Sequence, residues 1–92
     1  MGLFGPSRPK RVTDKEFTRI KSALYGKLDK KEWADVEQLF NGDLNEEGRY
    51  AGIDRAEAQR GLAWLRANTK KHHLEESDID LLEAELEKHL KD

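Results

Sequence analysis

The sequence predicts an all-α protein, a compact bundle of four short amphipathic helices with a disordered basic N-terminal arm. Three observations carry this. One helix-start signature occurs three times. The large apolar residues that follow each start recur at helical spacing. No segment alternates between apolar and polar residues as a half-buried strand would.

The chain has 92 residues, which suits one small domain and excludes the large multi-layer enzyme folds. Lys and Arg number 17 and Asp and Glu 19, for a net charge of -2. That balance removes self-repulsion as a cause of general disorder. No apolar run approaches the roughly 20 residues of a membrane span, so no membrane contact is expected. There is no cysteine, which excludes a disulfide scaffold, a thiolate metal site and a cysteine nucleophile, and fits a cytoplasmic setting.

Residues 1–11 form the expected arm. They hold Gly2, Gly5, Pro6, Pro9 and three bases without an acid. Pro and Gly disfavour helix here, and the segment lacks the apolar core of a signal peptide. Residues 12–92 form the expected domain.

The first helix is expected at about 14–26. Val12-Thr13-Asp14-Lys15-Glu16-Phe17 places a hydroxyl at the cap and a Glu three residues later, each able to satisfy a free backbone amide of the other. Val12 and Phe17 supply the apolar staple across that start. Phe17, Ile20, Leu24 and Leu28 then mark one face, and Gly26 is the expected stop because glycine enters the left-handed region cheaply.

The second helix is expected at about 30–41. Leu28-Asp29-Lys30-Lys31-Glu32-Trp33 repeats the signature, and Trp33, Val36, Leu39 and Phe40 form the face. Asn41-Gly42 is the expected stop. The third helix, about 55–68, begins with Ile53-Asp54-Arg55-Ala56-Glu57-Ala58 and ends near Asn68. Ala58 and Gly61 make a small-residue patch that predicts a close helix–helix contact. Leu62 and Leu65 belong to the core, with Trp64 beside that stripe. The fourth helix is expected at about 78–90, capped by Ser77, with Ile79, Leu82, Leu86 and Leu90 inward. Leu44, Tyr50 and Leu74 are expected to close the core from the loops.

Function is less legible. The loop 43–54 resembles a degenerate EF-hand calcium loop through Asp43, Asn45, Glu47, Gly48 and Tyr50. An EF-hand ends on a bidentate Glu at its twelfth position. Here that position is Asp54, which is shorter and expected to cap a helix, so calcium binding is expected to be weak, no tighter than about millimolar. His72 and His73 are adjacent and point about 100° apart on a helix, and no third ligand is placed by spacing, so no metal is expected and the histidines should be exposed.

Charge is polarised. Residues 58–73 carry Arg60, Arg66, Lys70 and Lys71 and no acid, while 74–92 hold eight acids against Lys88 and Lys91. The bases can pair with the start of the fourth helix, or join Arg8, Lys10 and Arg11 as a phosphate-contacting surface. No nucleophile elbow, phosphate-cradling glycine loop or environment that raises a carboxyl pKa is visible, so neither catalysis nor a cofactor is expected. The expectation is a protein-interaction module touching its partner through Phe4, Trp64, Arg66, Lys70 and Lys71. The alternative is a nucleic-acid accessory protein using Arg8, Lys10, Arg11 and Arg60 with the basic end of the third helix.

Overall fold

A computed structural model describes residues 11–45 and 52–91. It contains α1 (Asp14–Ala23), α2 (Lys30–Leu44), α3 (Arg55–Ala67) and α4 (Glu76–Leu90). Among the described residues there is no strand, only two isolated bridges. The protein is therefore an all-α bundle. Phe4, Arg8 and Lys10, with the rest of residues 1–10, lie outside the described residues.

Each of the first three helices begins as its residues dictate. Thr13, Asp29 and Asp54 accept from the amides of Glu16, Glu32 and Glu57, and those glutamates accept from the cap amides in return. The residue before each cap is buried, as is the residue five positions on: Val12 with Phe17, Leu28 with Trp33, Ile53 with Ala58.

The start of α4 corrects the expectation. Ser77 is not the cap. The helix begins at Glu76 with Glu75 as its cap residue, and the Asp78 carboxylate accepts from the Glu75 amide at 2.9 Å. Leu74 and Ile79 are the buried staple. Asp78 thus does the work that a Glu does in the other three, and the staple fixes the register two residues earlier than a serine cap would.

Two stops also differ. α1 ends at Ala23, two residues before Tyr25 and three before Gly26, which does take a left-handed φ of 85° within the turn that follows. α2 runs through Asn41-Gly42 to Leu44. Leu44 packs against the core, and the Asn45 side-chain amide donates to the Asn41 carbonyl at 2.8 Å, so a further turn outweighs the cost of an internal glycine.

The expected faces close one core. Phe17, Ile20, Leu24 and Leu28 meet Trp33, Val36 and Phe40, with Ala58, Leu62, Leu65, Ile79, Leu82, Leu86 and Leu90 filling the rest. Phe17 packs tilted on Trp33, ring centres 5.0 Å apart, and edge-on to Phe40 at 6.3 Å. α4 packs on α1 and α3, and α2 on α3. Gly61 makes the last contact possible: a Cβ there would lie 2.6 Å from the Phe40 ring.

Val12 and Ile53 tie the starts of α1 and α3 together. Each amide donates to the other's carbonyl, at 2.8 and 2.9 Å, and both side chains are fully buried. Gly52 fits beside this bridge because it has φ 117° and because a Cβ would lie 2.8 Å from the Val12 carbonyl oxygen. Gly42, by contrast, is helical with open space around it. Gly52→Ala should therefore lower stability by roughly 1–3 kcal/mol, whereas Gly42→Ala should raise it by about 0.5–1 kcal/mol. Paired urea melts check both signs.

Candidate functional site

The groove between α2 and α3 is the candidate site. Asp35, Leu39 and Asp43 lie on one row of α2, four residues apart, and Glu57, Arg60, Gly61 and Trp64 lie on the facing row of α3. The Gly61–Phe40 approach sets the depth of the groove, and Trp64 stands one turn beyond it.

Trp64 is 41% exposed and separates two hollows. One, of about 290 Å³, is lined by Leu39, Phe40, Asp43, Glu57, Arg60 and Trp64. The other, of about 490 Å³, is lined by Asp35, Gln38, Leu39, Lys71 and His72, again with Trp64. The His72 ring lies 6.0 Å from the indole, centre to centre.

His73 is exposed, as expected from sequence, whereas His72 and His89 are half-buried, and all three are hydrogen-bonded. The loop before α4 folds back so that His72 Nε2 reaches the Leu65 carbonyl at 2.7 Å while its Nδ1 accepts from the Leu74 amide. This fixes the tautomer with the proton on Nε2. His73 grips Asp35 twice, through its backbone amide at 2.7 Å and its Nδ1 at 2.8 Å. Burial alone would raise the Asp35 pKa, but the amide and imidazole of His73 hold it below its ordinary value. His89 on α4 likewise meets Glu16 on α1 at 3.0 Å, and with the Thr13 amide it outweighs burial and lowers the Glu16 pKa.

Asp43 is a second correction. A carboxyl with a raised pKa was not expected on a solvated helix, yet Asp43 is pushed up from 3.8 to about 6 by burial and by the facing Glu57 carboxylate, with Arg60 only partly offsetting. Glu57 is already bound to the Asp54 amide, and Asp43 has its own carbonyl on the Gly52 amide. Both acids are thus held in place by the α3 start.

The expected contact residues divide. Arg66 is taken by α4: Nε meets Glu76 at 3.0 Å, and Nη2 meets Asp80 at 2.9 Å and Glu83 at 3.0 Å. It is a clasp between α3 and α4, the internal pairing that the charge layout offered as one of its two readings. Arg11 lies 3.7 Å from both Asp54 and Glu57. Arg60 lines the smaller hollow beside Asp43. Lys70 and Lys71 line a shallow hollow after α3, and among the described residues no carboxylate lies within ion-pair distance of either. Among the described residues, Arg11 and Arg66 are drawn to carboxylates, while Arg60 lines one hollow and Lys70 and Lys71 another.

Residues 46–51 of the calcium-like loop lie outside the described residues. At its ends, Asp54 caps α3, Asn45 donates to Asn41, and Asp43 faces Glu57, so these three are committed elsewhere.

In the sequence, Trp64, Lys70 and Lys71 are marked by an aromatic lying close to bases. Asp35, Leu39, Asp43 and Glu57 were missed, although a row at i, i+4, i+8 on α2 and at i, i+3, i+7 on α3 could have marked them. No family model matches the chain, and no curated protein or solved structure is significantly similar to it. No helix among the described residues is long and apolar enough to cross a membrane.

The Asp43 shift fixes a sign. A carboxyl whose folded pKa is raised favours folding at low pH, and that contribution is lost as pH climbs from about 4 through about 6. Asp43→Asn should then raise the melting temperature at about pH 7.5 and change it little at about pH 4. Thermal melts of both proteins at the two pH values test this. An equal gain at both would show that the carboxyl pair does not strain the fold.

Proposed function

We propose that this protein is a non-enzymatic helical interaction module whose partner is another protein, and that the partner seats on Trp64 in the α2–α3 groove. What supports this reading is one observation: a tryptophan 41% exposed between two hollows, on a bundle whose other large helix-face residues are almost all buried. Tryptophan on such a site removes much apolar area from water while ordering only two torsions, and it is the residue type most enriched in binding hot spots. The rim is mixed in charge, with Asp35, Arg60 and Lys71, which favours selection of one partner over high affinity for any polyanion. No cofactor enters this reading. The cysteine-free sequence suits work in the reducing cytoplasm.

The alternative, a nucleic-acid accessory role through Arg8, Lys10, Arg11, Arg60, Lys70 and Lys71, draws its support from the last two, whose ammonium groups lack carboxylate neighbours among the described residues. The two readings separate by salt. Phosphate contacts release counterions, so nucleic-acid affinity falls steeply as salt rises, while an apolar hot spot is far less sensitive. Trp64→Ala should weaken capture of a protein partner by about 2 kcal/mol or more at moderate salt and leave the circular dichroism spectrum unchanged. Fluorescence anisotropy with labelled single- and double-stranded oligonucleotides should show no binding at low salt. Low-salt binding that Lys70→Glu and Lys71→Glu abolish would replace the protein reading with the nucleic-acid one.

A further inference from the structure

A second surface lies at the turn between α1 and α2, sharing no lining residue with the Trp64 groove. Leu24, Leu28 and Trp33 form the floor of a hollow of about 490 Å³, and Lys21 and Lys30 stand on its rim. Tyr25 forms a wall and is 88% exposed, the most exposed large apolar residue described. The left-handed Gly26 turns the chain there, which leaves the phenol projecting rather than folded into the core. The indole Nε1 of Trp33 is buried without an acceptor. An unpaired buried donor is rare and costly in a native protein.

The lining of this hollow carries two bases, Lys21 and Lys30, against the single acid Asp29, and Lys27 lies in the same turn. Asp29 is occupied as the α2 cap, and Lys21 has only an exposed pairing with Glu37 at 3.5 Å. Lys30 and Lys31 occupy the first two positions of α2, where the helix dipole favours acids. These lysines therefore weaken the helix they begin, and a carboxylate arriving from outside would relieve both the dipole and their mutual repulsion.

We propose that this corner docks an acidic peptide segment of another protein, one that presents an apolar side chain flanked by Glu or Asp. The apolar side chain would cover Leu24, Leu28 and Trp33 against Tyr25, and the flanking carboxylates would meet Lys21 and Lys30. A small acid would leave most of Tyr25 uncovered. A nucleic acid would find its phosphates matched but no use for the aliphatic floor. A second copy of this chain is disfavoured because its acidic helix α4 has Glu76, Asp80, Glu83, Glu85 and Glu87 already paired within the chain.

The probe is a short synthetic peptide with Leu and Phe at helical spacing and Glu elsewhere, set against the same peptide with Lys for Glu and against a single-stranded oligonucleotide. Amide shifts of the full chain report where each binds. The acidic peptide should shift Tyr25, Gly26 and Lys30 saturably, and Tyr25→Ala should weaken it about tenfold. Lys30→Glu should weaken it by a similar factor while improving the helix dipole, so that loss cannot come from unfolding. Trp64→Ala should leave it unchanged, which separates this surface from the α2–α3 groove. Absence of saturable shifts, equal binding of the Lys peptide, shifts centred on Trp64, or preference for the oligonucleotide would each overturn the proposal. So would concentration-dependent dimerisation through Tyr25.

Discussion

Val12, Leu28, Ile53 and Leu74 each stand immediately before a helix and each is buried, and the rest of the structure depends on that placement. An apolar residue before the cap fixes the angle at which the chain enters a helix. Four such residues converge on one core, so they also fix where four helices begin relative to one another. The Val12–Ile53 bridge makes this explicit for α1 and α3, whose starts lie side by side through two backbone hydrogen bonds. Glu32 and Asp78, the capping acids of α2 and α4, face each other closely enough to raise the Glu32 pKa. The helix starts thus lie in two pairs.

The polar groups complete what the staples begin. A chain with 36 charged residues in 92 could have left most of them in water. Instead Arg66 joins α3 to three carboxylates on α4, Arg55 joins it to Glu87, and His89 joins α4 to α1. Each exposed pair contributes little alone. Together they assign a neighbour to each polar face, and they consume bases that would otherwise read as a phosphate-binding surface. Among the described residues, two exposed aromatics stand beside lysines that meet no carboxylate: Trp64 beside Lys71, and Tyr25 beside Lys30.

Helix count, the inward faces and three of four starts were legible because they are local. A cap, a glutamate three residues on and an apolar residue at each end of the signature lie within six consecutive positions. The α4 start was misplaced because serine is a stronger cap than glutamate on intrinsic preference, and the buried Leu74–Ile79 pair overrode that preference. The α2 stop was misplaced for a related reason. Asn-Gly ends helices well in isolation, but Leu44 gains more by packing than the glycine costs.

The sequence by itself determined an all-α bundle, its amphipathic faces and the polarity of its charge, because helix periodicity and capping are properties of neighbours in the chain. Only the tertiary structure decided which charges meet. Asp35 with His73, Glu16 with His89 and Asp43 with Glu57 are separated by 38, 73 and 14 residues, beyond the reach of any local pattern. It also decided that Arg66 faces α4 while Trp64, two residues earlier, faces α2. Adjacent helix positions turn by about 100° each, so two residues place side chains on nearly opposite faces. Which of those faces meets a neighbour and which meets water depends on how the helices pack around one shared core.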